Sequence, residues 1–372
     1  MTAVLAVIVA TGVVIGSGFG DAYAAILPAA GSERLGVYNL GQLLFTVTAL
    51  AFGGSAAVGV VVALAEVRGS LGVAVLVALG VITWSAFNLQ NMTLVALGRA
   101  RTVPAANLVA GLGKIVFLLA LAASWRWHSV ETSFVAGALL TVTVYRPVIR
   151  RVIRLGIGLS SESSIRAGQG RREFGQLVSK TIAHSALTYG IFGITPFLVT
   201  FFSEPSQGAL FALCQSVVQP LNSIAVALSA SLIVHASSDP AKSVQMARGV
   251  MIRGVGIVTA GSVCMILVLP LALPLLNRQY QPQSVLGVAV VLCVSSILWV
   301  PFGVWSSFLK ARRQMKVPLT INVCAAGLVL GAMALFASRF GAIGGSIAVL
   351  IPQLFLTIGA AAHYFFVIRR VS

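Results

Sequence analysis

Runs of roughly 20 or more predominantly apolar residues follow one another along almost the whole sequence, and no other feature restricts its fold so severely. Of 372 residues, 58% are hydrophobic and only 9% charged, with a mean hydropathy of +0.99. A soluble globule needs more polar surface than this, so the chain belongs in a bilayer. Lipid offers no partner to backbone amides, which leaves a helical bundle or a closed barrel. The short alternating strands of a barrel are missing, and the sequence specifies an all-α polytopic membrane protein.

Breaks at Gly, Pro and charged clusters place eleven spans near residues 3–24, 37–66, 71–97, 103–124, 130–150, 178–202, 208–235, 250–277, 284–309, 317–338 and 342–368. Lys and Arg fall unequally on alternate loops. Twenty lie on one side, among them Arg34, Arg99, Arg101, the Arg146–Lys180 group and Arg369 with Arg370. Four lie on the other, Arg68, Arg126, Arg278 and Arg339, and Lys114 is left inside a span. The positive-inside rule makes the first side cytoplasmic, with the C-terminus inside and Met1 outside. The net charge of +17 therefore reports topology, and nucleic acid is not an expected partner. The opening "MTAVLAVIVATGVVIGSGFGDAYA" ends like a cleavable signal but lacks a positive start, so it reads as the first span. Cys214, Cys264, Cys293 and Cys324 sit singly in apolar runs, which indicates neither disulfides nor a metal. No phosphate-binding loop pattern is present, and no cofactor is expected.

The five residues "LGVAV" at Leu71–Val75 return at Leu286–Val290, and a shift of 215 residues extends the match. Trp84 meets Trp299, Phe87 meets Phe302, Leu94 meets Leu309 and Asn107 meets Asn322, giving 12 identities over the 40 positions from Leu71 to Ala110. These are the third and ninth spans, and an even separation predicts parallel repeats. Two pseudo-symmetric lobes around a central cavity are the expected architecture, as in transporters that open to one side at a time. The expected divisions are a lobe of five spans over 1–155, a cytoplasmic linker over 156–177 and a lobe of six spans over 178–372. In that register the first lobe lacks its own first helix.

The run "WSAFNLQNMTLVALGRARTVPAANLVAGLGKIVFLLALA" from Trp84 resembles bacterial polysaccharide flippases of the multidrug/oligosaccharidyl-lipid/polysaccharide exporter superfamily. The matching positions are Trp84, Phe87, Leu89, Gln90, Leu94, Gly98, Val103, Pro104, Asn107 and Lys114. "FALCQSVVQPLNSIAVALS", "KARRQMKVP" and "FGAIGGSIA" in the second half are similar to the same family. The sequence departs from that family where Asn91 and Ala106 replace acids and Ala25 replaces an Arg. The resemblance implies a flippase- or MATE-like fold in the bacterial plasma membrane. It implies a cargo of oligosaccharide on an undecaprenyl-pyrophosphate-type lipid, moved from the inner to the outer leaflet, with polysaccharide polymerase or glycosyltransferases as partners alongside membrane lipid.

The residues able to bind such a cargo are few. Lys114 is an ionisable group at mid-span, costly in lipid, and either anchors the pyrophosphate or snorkels and binds backbone carbonyls. Asn107 lies two turns earlier on the same face, with Gly111 between them leaving room for a ligand or a helix. Asn88 with Asn91, and Gln215 with Gln219 and Asn222, each follow helical spacing and either bind sugar hydroxyls or join helices. His184 stands four residues after Lys180 and either senses protons, helps bind phosphate or packs. Arg101, with Arg99, either meets the anionic headgroup or serves topology alone. The eight acids lie near span ends or in loops, with Asp21 solvated or paired, for example with Arg34. That placement weighs against the alternative of a MATE-like drug or small-molecule exporter, which would carry a deep carboxylate. A membrane glycosyltransferase or polymerase is a lower-ranked alternative, since short outer loops with only Glu131 and Glu204 offer no catalytic group, and no enzyme is expected.

Overall fold

Every described residue lies in a helix or in a short connection between helices. The structure, a computed structural model, describes residues 3–63, 70–122, 129–155, 170–238, 242–276 and 281–365. The helices are α1 (Ala3–Ile26), α2 (Arg34–Ala63), α3 (Leu71–Ala96), α4 (Val103–Ala122), α5 (Ser129–Leu155), α6 (Gly170–Ser185) and α7 (Ile191–Phe202). They continue as α8 (Pro205–Ser238), α9 (Ser243–Leu276), α10 (Pro282–Ala311), α11 (Lys316–Ala332) and α12 (Ser338–His363). A π-helical turn at Ala186–Gly190 joins α6 to α7, and another at Met333–Ala337 joins α11 to α12.

Among the described residues, ten helical runs are long and apolar enough to cross a bilayer. The last, Lys316–His363, has 48 residues, far more than one crossing needs. It turns back at Gly341, whose φ of 56° and ψ of −131° fall where essentially only glycine is found. Gly359 then lies against Ile321 and Gly344 against Phe336, so the run is two antiparallel spans and the total is the eleven read from the sequence. The sixth span begins earlier than expected. Gly170–Leu177 is helical because Phe174, Leu177 and Val178, spaced three and four apart, are buried and anchor an otherwise polar turn. The linker expected over 156–177 shrinks accordingly, and its remaining residues 156–169 lie outside the described ones, as do Arg369 and Arg370.

The chain forms two compact units, Met1–Gly193 and Ile194–Ser372, so their boundary falls inside the sixth span. In the first unit α3 is central, packed on α1, α2 and α5, with α4 on α5 and α6 on α1. Apolar side chains gain little by leaving lipid for one another, so the approach rests on small residues. Gly12, Gly16 and Gly20, four apart on α1, face Trp84, Asn88 and Met92, four apart on α3. A Cβ at these glycines would stand 2.7 Å from Trp84 Cδ1, 2.6 Å from Asn88 Cβ and 2.5 Å from Met92 Cβ. The rising numbers on both sides make α1 and α3 parallel neighbours.

The second unit repeats this plan at the shift of 215: α10 packs on α8, α9 and α12, and α11 on α12. The repeat reaches individual hydrogen bonds. After α3, Gly98 N donates to Val95 O at 3.0 Å and Arg99 N to Leu94 O at 2.8 Å; after α10, Arg313 N donates to Lys310 O at 2.9 Å and Gln314 N to Leu309 O at 2.8 Å. Gly98 has a φ of 71° and its counterpart Arg313 a φ of 60°, a left-handed turn kept even where the residue is not glycine.

Helices α4 and α5 meet where Gly113 faces Gly137, and a Cβ on Gly137 would stand 2.8 Å from both Ala110 O and Lys114 N. Gly111, by contrast, has open space around it. Gly137→Leu is expected to destabilise the protein by about 2 to 3 kcal/mol through this clash, whereas Gly111→Leu changes stability by less than about 0.5 kcal/mol. Thermal unfolding of the detergent-purified variants measures both.

Candidate functional site in the first unit

The turn after α3 sends α4 back alongside it, and this sets the polar residues of the two helices opposite one another. Asn91 Nδ2 donates to Asn107 Oδ1 at 2.9 Å. Two turns further along α4, the Lys114 ammonium comes level with Trp84. Its Nζ lies 4.8 Å from the centre of the Trp84 ring and 4.0 Å from that of Phe134 on α5. The rings belong to one cluster: Trp84 stacks on Phe87 at 5.0 Å and meets Phe134 at 4.4 Å. The close approach at Gly113 and Gly137 brings α5 near enough for Phe134 to reach the ammonium. Among the described residues Lys114 forms no ion pair, and it is half-buried. An ammonium over ring faces keeps its charge against the negative side of each quadrupole, worth about 0.5 to 2 kcal/mol. Its three N–H groups can still serve an acceptor.

Other expectations are redistributed. Asn88 does not share a surface with Asn91: its Nδ2 donates to Trp84 O at 2.8 Å and its Cβ packs against Gly16 of α1, whereas Asn91 turns to α4. Three residues along a helix leave the two side chains about 60° apart, and here α1 takes one while α4 takes the other. Gly111 stands open rather than admitting a helix, and Gly113 makes that contact instead. Arg101, like Arg99, is exposed in the turn before α4. His184 is 3% exposed on α6, whose neighbours are α1 and α2, and so belongs to another part of the unit. In the second unit Gln215 pairs with Thr195 of α7, donating to its hydroxyl at 3.2 Å, while Gln219 is exposed and Asn222 half-buried.

Asp21 is 6% exposed and Glu131 2%, and both engage neighbouring groups, so of the two alternatives for Asp21 the structure favours the paired one over the solvated one. Arg34 donates to the carbonyls of Leu27 at 3.2 Å and Pro28 at 3.4 Å, closing the turn between α1 and α2. Glu66, Glu162 and Asp239 lie outside the described residues. Sequence reasoning missed Phe134 and Thr195. An aromatic or hydroxyl residue in an apolar span carries no signal of its own, and only the antiparallel register of α4 with α5 brings Phe134 to Lys114.

No protein-family model matches the chain, and no curated protein does. Solved structures do. An outward-facing multidrug resistance MATE family transporter of the MOP superfamily superimposes with a TM-score of 0.70 at 15% identity, covering 98% of this chain and 85% of that one. The Vibrio cholerae MATE transporter VcmN in the bent form gives 0.67 at 16% identity, covering 97% and 86%. A MATE transporter in the straight conformation gives 0.65 at 14% identity, covering 99% and 85%. The flippase- or MATE-like fold implied by the sequence agrees with these neighbours. The fold of this chain is therefore the MATE-like helical fold found in transporters of the MOP superfamily.

Proposed function

We propose that this protein moves a lipid-linked oligosaccharide, carried on an undecaprenyl-pyrophosphate-type lipid, from the inner to the outer leaflet by alternating access. The observation that carries the reading is Lys114: an ammonium within a membrane-spanning helix, half-buried and in no ion pair among the described residues. A charge so placed is costly, and a phosphate oxygen that arrives with the cargo offsets the cost only while cargo is bound. Asn107 and Asn91, a level below, present amides suited to sugar hydroxyls. Arg101, exposed at the turn leading to them, meets the anionic headgroup first. A potential negative inside favours outward movement of an anion by about 2.3 kcal/mol per charge per 100 mV, so the cargo itself supplies a driving force.

A second reading, export of drugs or other small molecules, draws support from two facts. A solved neighbour is described as a multidrug resistance transporter, and Asp21 is a buried carboxylate in a membrane helix, the group a cation-coupled exporter uses.

Proteoliposomes loaded with a fluorescent polyprenyl-pyrophosphate sugar separate the two. Flipping is expected, with Lys114→Ala slowing it about 10- to 100-fold, the loss of a charge-assisted hydrogen bond, and Lys114→Glu more. Extrusion of a cationic dye that requires Asp21, without lipid flipping, would establish the second reading. An imposed potential of 100 mV, negative on the entry side, is expected to accelerate flipping; a rate indifferent to potential shows that the pyrophosphate crosses with its charge compensated.

A further inference from the structure

We infer that Trp84 and Phe134 are positioning residues that hold the Lys114 ammonium as a charged anchor for the pyrophosphate group, an assignment that rests on the reading of Lys114 given above. The ammonium lies over two rings from two helices, and the rings themselves meet at 4.4 Å with their planes tilted by 45°. Such a pocket stabilises a cation without neutralising it. A carboxylate in the same place would satisfy the ammonium and compete with an incoming phosphate. The rings take up no hydrogen bond, so the donors remain available.

The hydrogen-bond inventory points the same way. Trp84 Nε1 is buried and has no partner among the described residues. Buried N–H groups are nearly always paired, so an unpaired one beside an unpaired ammonium marks a cluster rich in donors and short of an acceptor. A phosphate is an acceptor with several oxygens.

The duplication provides an internal control. The shift of 215 carries Trp84 to Trp299, Lys114 to Val329 and Phe134 to Val349. The register holds through this region. It reproduces the turn after α3, and the contacts Ile321–Gly359 and Phe336–Gly344 bracket Leu328 opposite Pro352, the counterparts of Gly113 opposite Gly137. Trp299, Val329 and Val349 are all buried, so the corresponding positions of the second unit are filled by two valines and no charge. Packing of this fold therefore demands neither the lysine nor the phenylalanine. The ring stands in the unit that has the ammonium, and valine stands where the partner is valine. Phe134 is thus matched to Lys114 rather than to the junction.

The second unit also supplies the test variants. Lys114→Val and Phe134→Val copy residues that the junction is seen to accommodate, and Phe134→Trp keeps an aromatic face. Binding of radiolabelled farnesyl pyrophosphate to the full-length protein in nanodiscs is compared with farnesol and with inorganic pyrophosphate, which separates recognition of a lipid headgroup from that of the free anion. Phe134→Val is expected to weaken farnesyl pyrophosphate binding about five- to ten-fold and leave farnesol unchanged, with Phe134→Trp restoring it to within about two-fold. Lys114→Val removes the preference for pyrophosphate over alcohol. If Phe134→Val binds like the wild type while Lys114→Val does not, the positioning role is overturned and the anchor stands. Equal losses in Phe134→Val and Phe134→Trp overturn it too, since the position then serves shape. If Lys114→Val itself binds like the wild type, the anchor reading falls and this inference with it.

Discussion

The close approach of α1 to α3 is the interaction on which the first unit depends. A bilayer removes the ordinary reason for apolar side chains to gather, because lipid tails are as apolar as leucine. Helices then associate by dispersion, which falls off steeply with a gap, so the backbones must come close. Gly12, Gly16 and Gly20 permit this, and the indole of Trp84 fills the space that a side chain at position 12 would take. With Trp84 fixed from the α1 side, its ring is available to α4 and α5. Lys114 and Phe134 meet it there, helped by the second glycine contact at Gly113 and Gly137. Two glycine contacts thus determine where the one lysine of the first five spans can rest.

The second unit solves the same problem with different residues. Gly303, at the position of Asn88, is now the residue without a side chain, and a Cβ there would lie 3.3 Å from Ser229 Oγ of α8 and 3.0 Å from the Trp299 ring. The small residue has moved to the other helix while the pairing of helices is unchanged. What is retained is the backbone plan, including the left-handed turn that Arg313 occupies without the freedom of glycine. A non-glycine residue at that φ is strained, and its persistence indicates that the turn is set by the helices it joins.

Much of this was legible before any coordinates. Span number and repeat register follow from composition and from rare residues, Trp84 with Trp299 and Asn107 with Asn322, agreeing in one alignment. The reversal at Gly341 falls in the gap between the tenth and eleventh spans because both spans are limited by bilayer thickness. The glycine seam was also written in the sequence at four-residue spacing. In a chain with 37 glycines, however, such spacings arise without meaning, and only the partner helix shows which ones matter. The division of Asn88 from Asn91 and the reach of Phe134 were not legible. Both depend on which neighbour stands on each side of a helix whose apolar residues run all the way round, and hydrophobic periodicity is then silent.

Duplication also sorts the polar candidates by what the fold itself requires. Asn107 has a counterpart in Asn322, which is buried and engaged, and Asn91 has one in Ser306, likewise buried and engaged. Polar groups thus stand at both positions in each unit, and in the first unit Asn91 and Asn107 bond the third helix to the fourth. Amide and hydroxyl contacts between membrane helices are worth about 0.6 to 2 kcal/mol, sufficient reason for both units to keep them. Lys114 has no such counterpart, since a buried Val329 takes its place. A charge within a membrane helix costs at least about 2.5 kcal/mol even by the most lenient scale, more than the about 0.5 to 2 kcal/mol that a ring face returns. Helix joining accounts for the asparagines. It does not account for the lysine, whose charge the phosphate of the proposed cargo would balance.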